Sequence, residues 1–153
     1  MKLCIAVILI FFSFVIAYIR SSEIKRNKND SKIIFKLSEK IKNNFSAEML
    51  PVFKLSEDFF AAETGETATF SSTDDLIKFI NTKYSALPFI KMFTDYLSAL
   101  PYLPMDELAS CFDKLIKIAE KGVNDCEDKY TKEGKNAFIL YPGIVTVLIL
   151  ILI

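Results

Sequence analysis

Hydrophobic and polar positions alternate in three regimes along the chain. Leu3 to Ile19 and Ala137 to Ile153 contain no charged residue. Between them, apolar residues recur at intervals of three and four among charged ones, the period of a helix with one buried face. Ile34, Leu37, Ile41 and Phe45 mark a first helix, with Asp30 or Ser31 placed to cap it. Pro51 suits the first position of a second helix, which carries Val52, Leu55, Phe59 and Phe60. Glu63 to Thr73 holds Gly65 and a run of Thr and Ser, and reads as a loop.

Ser72, with Asp75 three residues on, resembles a capping arrangement for a third helix bearing Leu76, Phe79, Ile80 and Tyr84. Pro88 opens a fourth, with Phe89, Met92, Phe93, Tyr96 and Leu100 on one face, and Pro101 and Pro104 bracket a tight connection. The last helix has Pro104 in its first turn and Asp106 and Glu107 near its positive end. Met105, Leu108, Phe112, Leu115 and Ala119 form its stripe, and Gly122 supplies a stop. No segment reads as a strand. The pattern predicts an all-α fold, a small antiparallel bundle of four or five short helices over residues 33–122.

The two uncharged ends carry the cellular address. Lys2, the apolar run to Val15 and small Ala17 at the end of Val15-Ile16-Ala17 read as a signal peptide over residues 1–17, whose cleavage removes Cys4. Residues 18–32 are polar and aperiodic, which predicts a mobile leader. Residues 123–136 form a polar spacer before the apolar tail, 137–153. A signal at one end and an apolar tail without flanking charge at the other match the layout for a glycolipid (GPI) anchor. Asn124 is the preferred attachment residue, because ten polar-rich residues separate its small-residue site from the tail; Gly134 is the alternative. A single C-terminal span and a buried segment are the other readings of the tail. The membrane is thus the expected partner, and the secretory pathway, leading to the extracellular face of the cell membrane or to secretion, the expected location.

Composition narrows the chemistry. One domain suits 153 residues, and the 52% hydrophobic content resides disproportionately in the ends. All 19 acidic and 18 of the 19 basic residues lie between those ends, leaving a net charge of −1 there and no electrostatic footprint for nucleic acid. Cys111 and Cys126 form a candidate disulfide in an oxidising compartment. Attachment at Asn124 would instead discard Cys126 and leave Cys111 as a core thiol. Asn44-Phe45-Ser46 and Asn29-Asp30-Ser31 are candidate N-glycosylation sites.

Without histidine the chain offers no imidazole base and no histidine-ligated zinc. Asp74-Asp75, Asp106-Glu107 and Glu127-Asp128 are adjacent carboxylates, which point in different directions on a helix and read as caps and solvated charge. The reading is a non-enzyme with no cofactor and no metal site, having a structural or interaction role. A contact with a protein partner would fall on the loop at Glu63 to Thr73 or the Pro101 to Pro104 corner. The alternative is an extracellular carrier of an apolar ligand such as a fatty acid, with Phe59, Phe79, Phe93 and Phe112 lining a pocket between helices. Two internal echoes, at Ile34 to Glu39 with Val52 to Glu57 and at Ser85 to Phe89 with Ser98 to Tyr102, do not continue as a repeat.

Overall fold

A computed structural model describes residues 2–48 and 51–152; the side chains of residues 2–4, 46–48, 151 and 152 lie outside the description, among them Lys2, Cys4 and the Ser46 of one glycosylation signal. All regular structure among the described residues is helical: α1 (Lys2–Glu48), α2 (Val52–Thr64), α3 (Thr73–Lys83), α4 (Ile90–Ala99), α5 (Met105–Lys129) and α6 (Ala137–Leu152). A 3₁₀ turn, Leu100–Tyr102, leads towards α5, and a π-helical turn, Tyr130–Gly134, follows it.

Three expectations about boundaries are corrected. Residues 18–32 are not a separate mobile leader but the middle of α1, a helix of 47 residues. No Gly or Pro interrupts Met1 to Leu50, so nothing in the covalent chain stops helix propagation. Asp30 and Ser31 are therefore interior residues rather than caps. Gly122 does not end the last helix, which runs on to Lys129. The expected spacer, 123–136, is accordingly mostly helical, continuing through α5 and the π turn.

The period that organises α1 is seven residues. Ala17, Ile24, Ser31 and Ser38 are all buried at that spacing, with Ile34 and Ile41 beside the later members. A seven-residue repeat keeps one stripe of a helix on a neighbour over many turns. Helix α5 shows the same spacing: Leu108, Phe112, Leu115, Ala119 and Cys126 are buried at intervals of three, four or seven residues.

The chain divides into two compact units, Asn29–Asn124 and the paired segments Met1–Lys28 and Asp125–Ile153. In the Asn29–Asn124 unit the core draws Ile34, Leu37 and Ile41 from α1, Leu55 and Phe60 from α2, Leu76 and Ile80 from α3, Phe93 and Leu97 from α4, and Leu115 from α5. Phe60 is its aromatic centre. The Phe79 ring lies 5.1 Å away edge-on, Phe59 5.5 Å, and Phe70 and Tyr84 each 6.3 Å.

The loop after α2 reverses at Gly65, whose φ of 69° is left-handed and suits glycine. Beyond it, Phe70 is drawn back to the cluster and its backbone N–H donates to the Glu57 carboxylate. The expected cap is present: the Ser72 hydroxyl accepts from the Asp75 N–H at 3.2 Å, opening α3. Thr94 on α4 donates to Asn81 Oδ1 on α3 at 3.1 Å.

Gly122 has a different task from the one its sequence position implies. A β-carbon at this residue would sit 2.2 Å from the Phe89 ring, so the missing side chain lets that ring lie on the α5 backbone. Gly122→Ala gains helix propensity but must displace the ring. The net expectation is a loss of about 1–3 kcal/mol of stability, read as a lower midpoint in urea at unchanged slope.

Candidate membrane-anchoring surface

The unit built from Met1–Lys28 and Asp125–Ile153 carries nearly all of the large exposed apolar side chains among the described residues. Val7, Phe11, Phe12, Ile16 and Tyr18 on α1 are exposed, as are Ile139, Ile144, Val147, Leu148 and Leu150 on α6. Elsewhere among the described residues such exposure is confined to Met92, Tyr102 and Met105. Soluble surfaces rarely gather apolar area this way, and a patch so large marks contact with lipid or protein. Among the described residues, α1 is the one helix long and apolar enough to cross a membrane; its most apolar 18-residue stretch has a mean hydropathy of 2.1 and is only 11% buried. The segment from α5 through α6, bent by 41°, passes the same test only when taken together.

The inner face of this unit is made mainly of small residues, with Ile24 a large side chain among them. Ser13, Ala17 and Ile24 are buried on α1, and Gly134 and Ala137 on the opposite segment. A β-carbon at Gly134 would meet the Tyr130 ring at 2.9 Å and the Ile24 side chain at 3.4 Å. The Ser21 hydroxyl donates to the Gly134 carbonyl at 2.9 Å. Around that contact stands a polar collar. Arg20 lies 3.8 Å from Glu133, Lys28 lies 3.9 Å from Glu127, and the Lys28 ammonium sits 4.6 Å from the centre of the Tyr130 ring. Hydroxyls deeper in the apolar stretches turn back on their own helices: Ser13 donates to the Ile10 carbonyl at 2.6 Å and Thr146 to that of Pro142 at 2.8 Å. No hydrogen of those two groups is left without an acceptor, as lipid contact requires.

Sequence-expected site residues fall in several places. Asn124 is exposed on α5, whereas Gly134 is buried and its carbonyl is already engaged. Asn29 is exposed within α1, and Asn44 is half-buried near its C-terminal end. Cys111 and Cys126 are both buried and are not joined in a disulfide. The reason is geometric: both stand on the continuous α5, where a rise of about 1.5 Å per residue separates them far beyond the ~7 Å reach of a bridge. Burial pushes the Cys111 thiol above its ordinary pKa, and its Sγ lies 3.8 Å from the Tyr96 carbonyl.

The four phenylalanines expected to line a pocket are spread through the core. Phe59 and Phe79 both press on Phe60, while Phe112 meets Phe45 with ring centres 5.2 Å apart. Phe93 is fully buried on α4.

No gathered set of three or more His, Cys, Asp or Glu side chains able to hold a metal occurs among the described residues. The hydrogen bond from Lys42 at 2.7 Å holds the Asp113 carboxyl below its usual range, and one from Ser71 does so for Asp75. A carboxylate lowered on folding stabilises above its unfolded pKa and ceases to as pH falls through the folded value. Wild-type stability should therefore exceed that of Asp113→Asn slightly at pH 7, and urea titrations at pH 3 should show that gap narrowing. The Tyr84 hydroxyl is buried with no hydrogen-bond partner among the described residues. Burial, with Asp30 and Glu66 nearby, raises its pKa. Tyr84→Phe removes an unsatisfied group, so thermal unfolding should show unchanged stability or a gain of about 1 kcal/mol.

Comparison with protein-family models, curated proteins and solved structures gives no match to this chain.

Proposed function

We propose that the protein is a small helical domain held at a membrane by its apolar end segments, working by contact rather than by catalysis. The observation that carries this reading is the segregation of surface. Exposed apolar side chains gather on the terminal unit, while Asn29–Asn124 encloses a core of its own. Within that unit the most exposed apolar side chains stand at the proline corner, Tyr102 at 88% and Met105 at 70%, and these favour it as the place of contact with a protein partner. The lipid-carrier alternative draws less support, since Phe59, Phe79 and Phe112 pack against other rings.

A second, secretory reading, in which both apolar ends are removed and a glycolipid takes their place, rests on one observation. Asn124 is the last residue of the Asn29–Asn124 unit, so glycolipid transfer at that residue, with cleavage after Ala17, would leave the unit whole. In this form the domain faces the outside of the cell and Asn44, with Asn29, is open to glycosylation. Sedimentation of cell membranes washed at pH 11 tests the tether itself: the protein stays with the pellet if it is held by lipid contact. Full recovery in the supernatant would overturn the reading. Release by a phosphatidylinositol-specific phospholipase, together with a mass shift on removal of N-linked sugar, distinguishes the secretory form.

A further inference from the structure

We infer that the two apolar segments form one device, an antiparallel two-helix hairpin seated in a single bilayer with lipid against its outer face. The inference rests on the membrane reading above and adds how the tether is built: both segments are retained and bind each other.

The first support is the inversion of side-chain size across the terminal unit. A helix pair formed in water buries its large apolar residues and exposes small or polar ones. Here Ser13, Ala17, Gly134 and Ala137 are inside, and Phe11, Phe12, Ile16, Ile139, Leu148 and Leu150 are outside. Within a bilayer the outer surface has no water to avoid, so large side chains face lipid. Helices then associate through small residues that let their backbones approach. The Ser21 to Gly134 hydrogen bond, from a side chain to a backbone carbonyl across the pair, is such an approach.

Register supplies the second support. From Lys28 with Glu127 to the adjacent contacts of Arg20 with Glu133 and Ser21 with Gly134, the chain moves back seven to eight residues on α1 and forward six to seven on the other segment, so the pair is antiparallel. This pairing sets the last charge before each apolar stretch at one level, Arg20 on α1 and Lys135 just before α6. The two uncharged stretches that begin there, Leu3 to Ile19 and Ala137 to Ile153, are of equal length. At about 1.5 Å per residue each covers roughly 25 Å. That is slightly short of a hydrocarbon core of about 30 Å, a mismatch that modest thinning of the bilayer absorbs. Partly exposed charges that end both apolar stretches at one level are what a shared water–lipid boundary demands, whereas two unrelated segments need no such agreement.

The test uses the full chain in cell membranes, with its native cysteines replaced by serine and one new pair introduced. Oxidation should cross-link Ser21→Cys with Gly134→Cys at least tenfold more than the outward-facing control, Tyr18→Cys with Ile139→Cys. Because a side chain at Gly134 crowds Tyr130, a second pair, Arg20→Cys with Glu133→Cys, repeats the measurement at the adjacent contact. Intact mass of the alkali-resistant protein should show both apolar segments present. Membrane-bound protein that cross-links at neither inner pair overturns the hairpin. So does a membrane-bound chain beginning after Ala17 or ending in glycolipid at Asn124, while either result leaves the tether standing. Protein recovered wholly in the alkaline supernatant overturns the tether and the hairpin together.

Discussion

Ile8→Asp combined with Phe12→Asp should abolish the association of the purified full-length protein with phosphatidylcholine vesicles. Both side chains are exposed on α1, 54% and 58%, so neither substitution breaks a packed core. Both sit near the middle of the uncharged Leu3 to Ile19 stretch, where lipid contact would be deepest. A carboxylate at the centre of a span costs about 2.5–3.5 kcal/mol, so two together weaken partitioning by a factor of at least about 1,000. In flotation assays the wild type should rise with the vesicles and the double variant should remain below. Circular dichroism of the variant should keep its helical signal, separating loss of membrane contact from loss of fold. Equal flotation of both proteins would show that this surface does not meet lipid.

Phe60→Ala should produce the largest loss of stability of any single truncation in the Asn29–Asn124 unit. Its side chain has no exposed surface and touches Phe59, Phe70, Phe79 and Tyr84. The Lys83 ammonium, paired with Glu66, also lies 5.9 Å from its centre. Removing the ring leaves a cavity that three separate segments line, α2, α3 and the loop that carries Phe70. Such truncations cost about 3–5 kcal/mol, against about 5–15 kcal/mol for a whole domain. Thermal unfolding should fall by more than about 10 °C, and proteolysis should begin in the loop between α2 and α3, whose Phe70 anchor is lost. A shift under about 2 °C would mean that the cluster is not the centre of the core. Phe112→Ala, with one described ring neighbour in Phe45, should cost less.

The short helices were legible because each declares itself locally. Leu76, Ile80 and Tyr84 on α3, and Phe93 and Leu97 on α4, combine helical spacing with a Ser72 cap or a preceding proline, and all five are buried. Helix α1 was only half legible. Its buried stripe through Ser13, Ala17, Ser31 and Ser38 consists of small and hydroxyl residues, which a search for apolar periodicity passes over. The signal that could have revealed it was the seven-residue interval from Ala17 to Ser38, together with fifty residues free of Gly and Pro. Gly122 misled for a related reason. A glycine near the end of an amphipathic stretch usually stops a helix, and only the approach of Phe89, distant in sequence, explains a glycine retained inside one.

The sequence by itself determined the helical class, the non-uniform distribution of grease and charge, and the absence of histidine chemistry, since these depend on residue type and local spacing. Tertiary structure alone decided that Phe60 is the centre of the core, that Phe89 lies on Gly122, and that Ser21 meets Gly134. Those facts depend on which distant segments share space, and small residues that permit close approach leave almost no imprint on local hydrophobic pattern.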